Sequence, residues 1–338
     1  MLDKNESPFD LPGKIKAEIL EKIASTPFNR YPDHAYGELK GKLGALWGVP
    51  PSSVVLGNGG DEILWMVFSA FLRPGDAVLA FTPTFSEYYR LTELFGGRFL
   101  SVPTDLSGDV PAFDYDLFLK KMREESPALV LLDTPNNPTG TTLPDSFIGT
   151  VLSEGKSKVI IDEAYGEFAR STWLASAAGK EIPSGALVLK TLSKAWGSAG
   201  IRLGYALCGS SLRKGLEGAK GPFNVNVLTQ AAAGVLLDHP ERARETVSLL
   251  RRVRDKFFAS VRNLPGWKVF PGEANFLLLR APFSQEEILR KSEGNFAFRF
   301  PLIESCGGEN FSWIRITIGT EENMEDVLRF FQSLAEHP

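Results

Sequence analysis

The sequence predicts an α/β protein, with a large domain built on a mainly parallel central sheet flanked by helices and a smaller α+β domain beside it. Three observations carry that expectation. Between residues 54 and 209, short runs rich in Val, Ile and Leu alternate with longer segments of helical period, the pattern of βαβ units. These runs are apolar throughout instead of alternating, as strands covered on both faces require. After Asp238-His239-Pro240 the texture changes to one long amphipathic helix and then strands of period two. The 338 residues leave room for both units, at about 150 residues per domain.

The apolar runs fall at 54–56, 77–81, 128–132, 159–161, 186–189 and 205–208. Residues 241–262 form a charged helix in which Ala243, Val247, Leu250, Val253, Phe257 and Val261 make one apolar stripe. Its arginines read as a solvated face. Residues 268–280 read as two strands around Pro271-Gly272. In 313–318, Ile314, Ile316 and Ile318 share one face of a strand while Trp313, Arg315 and Thr317 share the other. The expected division is a large domain over 30–238 and a small domain made of 239–338 with the N-terminal segment 1–29.

Composition narrows the function. Hydrophobic residues at 43% and charged residues at 23% exclude collagen-like, disordered and coiled-coil classes. With 37 Lys and Arg against 41 Asp and Glu, the net charge of −4 argues against a nucleic-acid partner. Cys208 and Cys306 make neither a disulfide framework nor a metal or redox spacing, which fits a reduced, cytoplasmic setting. The N-terminus shows no secretory signal, and the longest apolar stretches, such as 65–72, fall well short of the roughly 20 residues that span a bilayer. His34, His239 and His337 stand in no metal or nucleophile spacing and read as loop or terminal residues. Zinc hydrolysis and Ser-His-Asp catalysis are therefore not expected, and no metal site is.

Four segments carry candidate chemistry. In 191–205, TLSKAWGSAGIRLGY, Lys194 lies just beyond a strand's carboxyl end, where open α/β sheets place ligands. It suits a Schiff-base lysine, with Thr191, Ser193 and Arg202 equipped to hold a phosphate; a solvated lysine is the plain alternative. In 158–168, KVIIDEAYGEF, Asp162 ends a buried strand. It needs a hydrogen-bonded partner or a cationic one, such as a protonated pyridine nitrogen that Tyr165 could also reach. In 134–140, TPNNPTG, two prolines and a glycine make a rigid turn, and Asn137 can face a ligand's phenolic oxygen. In 56–62, LGNGGDE, glycines at a strand-to-helix turn expose N–H groups to phosphate. Their spacing is neither GxGxxG nor a Walker A loop, so a non-catalytic nucleotide-binding module is the weaker reading.

These segments, with LDKNESPF (2–9), NRYPD (29–33), FTPTFSEYY (81–89), KGPFNVN (220–226) and WIRITIGT (313–320), resemble the fold-type I aminotransferases that use pyridoxal 5'-phosphate. Among those, the sequence resembles the histidinol-phosphate aminotransferase family most closely, over nearly its whole length. The resemblance implies that Lys194 binds the cofactor covalently and shuttles a proton. It implies that Asp162 pairs with the ring nitrogen, that Asn137 and Tyr165 hold the ring oxygen, and that Phe85 stacks on the ring. Gly60, Asp61, Thr191, Ser193 and Arg202 are the implied phosphate cup. Tyr31 is implied to reach the neighbouring subunit's site in a homodimer, and Arg315 with Arg299 to bind the substrate's anionic end.

The implied reaction is ping-pong transfer of an amino group from histidinol phosphate, or a related amino acid or amino-alcohol phosphate, to 2-oxoglutarate. The alternatives are an aminotransferase for aromatic or other amino acids and a phosphothreonine decarboxylase-like lyase. The sequence departs from the family pattern at three points. Phe85 stands where tyrosine is frequent, Met1 stands where many members have a tyrosine near the substrate's acid group, and the stretch 300–312 is longer than usual.

Overall fold

The computed structural model describes residues 2–177, 181–292, 294–303 and 311–336, so Met1, Cys306 and His337 lie outside the described residues. Its main sheet has seven strands: β1 (Val54–Asn58), β2 (Ala77–Thr82), β3 (Arg98–Pro103), β4 (Leu129–Asp133), β5 (Lys158–Asp162), β6 (Ala186–Thr191) and β7 (Leu203–Cys208). Their spatial order is β1-β7-β6-β5-β4-β2-β3. All run the same way except β7, which is antiparallel to both neighbours. The link 192–202 between β6 and β7 is too short for the crossover of about a dozen or more residues that a parallel pair needs, so the chain turns back on itself.

Burial on both faces is visible in the core. Leu129 and Leu131 enter one apolar cluster while Val130 and Leu132 of the same strand enter another. Strand β3 is absent from the sequence expectation for a physical reason. It is the sheet's edge, its sequence RFLSVP carries polar residues, and Arg98 and Pro103 are exposed, whereas continuous apolarity identifies only central strands.

The second sheet is antiparallel, in the order β10 (Ser312–Thr317), β9 (Phe276–Ala281) and β8 (Lys268–Val269). Helices Pro240–Val261 and Glu321–Glu336 cover it with buried Leu250, Val253, Phe257, Val327 and Phe331. The arginines of Pro240–Val261 depart from a uniformly solvated face. Arg254 is buried, Arg251 donates to the carbonyls of Phe168 and Glu167, and Arg242 donates to those of Trp196 and Asp10. Guanidinium stems pack on apolar surface while their forks satisfy carbonyls left open by irregular chain. His239 likewise is no free loop residue: it precedes this helix, and its Nε2 lies 2.8 Å from Glu18. The N-terminal segment joins the second sheet, with Thr317 N–H donating to the Leu2 carbonyl, and meets the loops at the end of the main sheet, where Lys194 donates to the Lys4 carbonyl and Asn5 to the Tyr165 hydroxyl. Among the described residues no helix is long and apolar enough to cross a membrane.

Candidate active site

The strands β1, β4, β5 and β6 run parallel and end at Asn58, Asp133, Asp162 and Thr191, and the chain segments that follow them supply most of the candidate residues at one edge of the sheet. Asp162 is buried at the end of β5. Its Oδ2 accepts the Tyr88 hydroxyl at 2.6 Å and its Oδ1 accepts the Ala164 N–H at 2.9 Å. Burial pushes its pKa up, opposed by those two donors. Among the described residues no Lys, Arg or His pairs with it. Tyr88 is itself fully buried, and burial beside Asp162 and Asp133 raises its pKa far enough to keep the phenol a donor.

Lys194 follows β6 by three residues. Its Nζ donates to the Lys4 carbonyl at 2.8 Å and lies 5.8 Å from the centre of the Tyr165 ring. No carboxylate pairs with it among the described residues. The Tyr165 hydroxyl accepts the Asn5 side-chain amide at 2.9 Å, which leaves its own proton free to donate. Asn137 is oriented in the same manner. Its Oδ1 accepts Arg315 Nη1 at 2.7 Å, so its NH₂ group is the part left to donate elsewhere.

Helix Gly60–Phe71 begins at Gly59 with no side-chain cap, so its first N–H groups remain open beside the positive end of the helix dipole. Arg202 Nη2 lies 3.0 Å from Asp61 Oδ2 across this opening. The approach is tight: a Cβ on Gly59 would fall 2.3 Å from Arg202 Nη2, and one on Gly204 would fall 2.3 Å from Gly59 C and Gly60 N. Glycine at 59 is thus required by its φ of +82°, and glycine at 204 by the backbone of Gly59 and Gly60 lying against it. Thr191 Oγ1 lies 3.0 Å from Ser193 Oγ and accepts the Ser193 N–H at 3.1 Å, completing a cup of two hydroxyls, a guanidinium and a helix terminus.

Arg315, which reaches Asn137, is one of a pair of arginines. Arg299 and Arg315 face each other in an antiparallel bridge, with Arg315 N–H donating to Arg299 O at 2.8 Å, so their side chains leave the same face. Arg315 also donates to the Asp3 carbonyl, while its buried Nε has no partner. Phe85 starts helix Ser86–Leu94, its ring edge-on to Tyr88 with centroids 5.8 Å apart. Tyr31 stands apart from the rest. It is 81% exposed and stacks on Phe223 at 4.5 Å.

Residues 1–331 match the family Aminotransferase class I and II. The chain belongs to the class I and II aminotransferases. A histidinol-phosphate aminotransferase of Ruminiclostridium cellulolyticum is 34% identical over 328 residues, covering 95% of this chain and 88% of that protein. Among solved structures, histidinol-phosphate aminotransferase from Sinorhizobium meliloti, crystallised with pyridoxal-5'-phosphate, superposes with a TM-score of 0.84 at 22% identity, covering 98% of this chain and 90% of that one. L-threonine-O-3-phosphate decarboxylase from Porphyromonas gingivalis superposes with a TM-score of 0.82 at 20% identity, covering 99% of both chains. The latter two likenesses establish a shared fold, since one scaffold hosts several chemistries.

The aminotransferase's own atoms fit a phosphorylated pyridine. A buried carboxylate without a cation suits a protonated ring nitrogen, an uncapped helix start beside Arg202 suits a dianion, and the unpartnered Nε of Arg315 suits an acid group on the substrate. Sequence reasoning missed the residues that act through others, namely Tyr88 on Asp162, Asn5 on Tyr165, and Asp133 with Thr84 and Asn136 on the turn. Tyr88 and Asn5 lie inside quoted motifs, FTPTFSEYY and LDKNESPF, so their position was visible though their partners were not.

Proposed function

We propose that this aminotransferase binds pyridoxal 5'-phosphate at Lys194 and is a histidinol-phosphate aminotransferase, passing the amino group of histidinol phosphate to 2-oxoglutarate. Curated relatives at 34–38% identity over at least 95% of the chain support the substrate. The observation that carries the chemistry is a buried Asp162 with no cationic side chain paired to it among the described residues, at the end of the strand beside the one that Lys194 follows. When bound, the cofactor supplies an electron sink for charge developing at the substrate's α-carbon.

The chain's own groups do the rest. Asp162 holds the ring nitrogen's proton, Lys194 Nζ takes the proton from the α-carbon and returns it nearby, and Asn137 and Tyr165 donate to the ring oxygen. Gly60, Asp61, Thr191, Ser193 and Arg202 hold the phosphate, Phe85 covers the ring, and Arg315 with Arg299 orients the substrate's anionic end. The same reading makes the protein a cytoplasmic homodimer in which exposed Tyr31 serves the neighbouring subunit's site. It also divides the chain into a large domain over 30–238 and a small one of 1–29 and 239–338.

The test is a set of single half-reactions on protein reconstituted with pyridoxal 5'-phosphate. Histidinol phosphate is expected to abolish the visible absorption band, 2-oxoglutarate to restore it, and Lys194→Ala to lack it. Silence with every amino donor refutes transamination, and release of CO₂ from phosphothreonine without any oxo acid assigns the lyase reaction instead.

A further inference from the structure

Asp133 closes β4 opposite Asp162 on the neighbouring parallel strand. The residues before them, Leu132 and Ile161, enter one apolar cluster together, so by the alternation of strands the two carboxylates leave the sheet on the same face. Asp133 is 6% exposed. Three donors converge on its Oδ2: the Thr84 hydroxyl at 3.0 Å, the Asn136 amide at 2.9 Å and the Asn137 N–H at 3.0 Å. The Asn136 amide also reaches the Pro83 carbonyl at 3.2 Å. One carboxylate oxygen therefore joins loop 83–85, which carries the ring-stacking Phe85, to turn 134–140, which carries Asn137. No cation pairs with Asp133 among the described residues.

We propose that Asp133 is a positioning residue of this site, tying two walls of the cofactor pocket together and adding a second negative charge beside the pyridine ring. The proposal rests on the reading that the pocket binds pyridoxal 5'-phosphate. Turn geometry alone does not require an acid here, because the carbonyl of an asparagine would accept the same hydrogen bonds. What only aspartate adds is charge, which its carboxyl carries as pH rises past its titration. Burial raises its pKa to about 7, with its three donors acting in the opposite sense and Asp162 pushing further up. The titratable groups that face it are Asp162 from β5 and the Tyr88 phenol from helix Ser86–Leu94. Loop 83–85 and turn 134–137 contribute neutral donors.

The experiment reconstitutes wild type, Asp133→Asn and Asp133→Ala with pyridoxal 5'-phosphate, titrates the visible band with pH, measures cofactor Kd, and follows single half-reactions. Asp133→Asn keeps the acceptor and loses the charge. It is expected to move the midpoint of the band's titration down by about one pH unit. It should also slow the half-reaction about tenfold, with cofactor Kd within about threefold of wild type. Asp133→Ala, which also frees the turn, is expected to raise cofactor Kd about tenfold more. Asp133→Asn with the wild-type midpoint and rate would overturn the proposal even if the alanine variant failed to fold. Wild-type protein without any Lys194-dependent band would overturn the cofactor reading itself, so the two failures are distinguishable.

Discussion

Asp162 and Glu163 are consecutive, both buried, and treated in opposite ways. Glu163 is 0% exposed, and its Oε1 accepts the Leu174 N–H at 3.0 Å while Lys190 Nζ lies 3.2 Å from Oε2. Lys190 is also 3.5 Å from Glu167 and 4.4 Å above the Trp47 ring. Burial lowers the pKa of Lys190, but Glu167 and Glu163 more than offset this, and the net shift is upward, so the ammonium stays charged. On one side of the strand end, buried charge is matched by opposite charge within the chain, Lys190 standing between Glu163 and Glu167. On the other, Asp162 has a phenol and an N–H but no cation among the described residues. The difference teaches which buried charge belongs to the fold and which is held open for a ligand, since an ion left uncompensated in a protein interior is costly.

The largest effect expected from this contrast comes from breaking the closed cluster. Lys190→Met leaves two buried carboxylates without their cation and is expected to destabilise the cofactor-free protein by about 3–5 kcal/mol. Asp162→Asn removes a carboxyl that no cationic side chain among the described residues neutralises. Its stability should stay within about 1 kcal/mol of wild type or rise, while the half-reaction slows at least about 100-fold. Urea unfolding of both variants and half-reaction rates of the second check this. Equal destabilisation by the two substitutions would erase the distinction.

The open side was far more legible in the sequence than the closed side. Lys194, Asp162, Asn137 and Arg202 lie where apolar runs give way to polar turns, so residue type and strand position together marked them. Tyr88, Asp133 and Asn5 were hidden because each acts on a candidate through space, from helix Ser86–Leu94, from β4 and from the N-terminal segment. Lys190 was hidden for the opposite reason. A lysine inside an apolar strand gives no sequence sign of whether it meets solvent or a pair of buried acids. Strand β3 was missed at the sheet's edge, and the reversed direction of β7 followed from a link whose length, not composition, decides the turn.

A second test of the contrast uses pH. Asp133 titrates at about 7 in the folded chain against an ordinary 3.8, and Asp162 is shifted in the same direction. The folded state therefore keeps a proton that the unfolded chain has released. Stability from this source is full below about pH 4 and is lost as pH rises through 7, by about 4 kcal/mol at most. Cofactor-free Asp133→Asn should lack that decline, so the difference between its stability and that of wild type should grow from pH 4 to pH 8. A constant difference across this range would show that Asp133 is ionised in both states.

The smallest effect belongs to a charge pair that solvent shares. His239 Nε2 lies 2.8 Å from Glu18 and Nδ1 3.4 Å from Glu241, linking helix Gly13–Ala24 to helix Pro240–Val261. The hydrogen bond to Glu18 is the main cause of its raised pKa, followed by burial, which opposes the shift. For a raised histidine, stabilisation is complete below its unfolded value and disappears as pH rises through the folded one. Because the side chains are partly exposed, the contribution should stay below about 1 kcal/mol and shrink with salt. Melting temperatures of wild type and His239→Gln at pH 5.5 and pH 8.5 measure it. A gap at the lower pH that closes at the higher one identifies charge as the cause, whereas a gap unchanged by pH and salt would assign the contact to neutral hydrogen bonding.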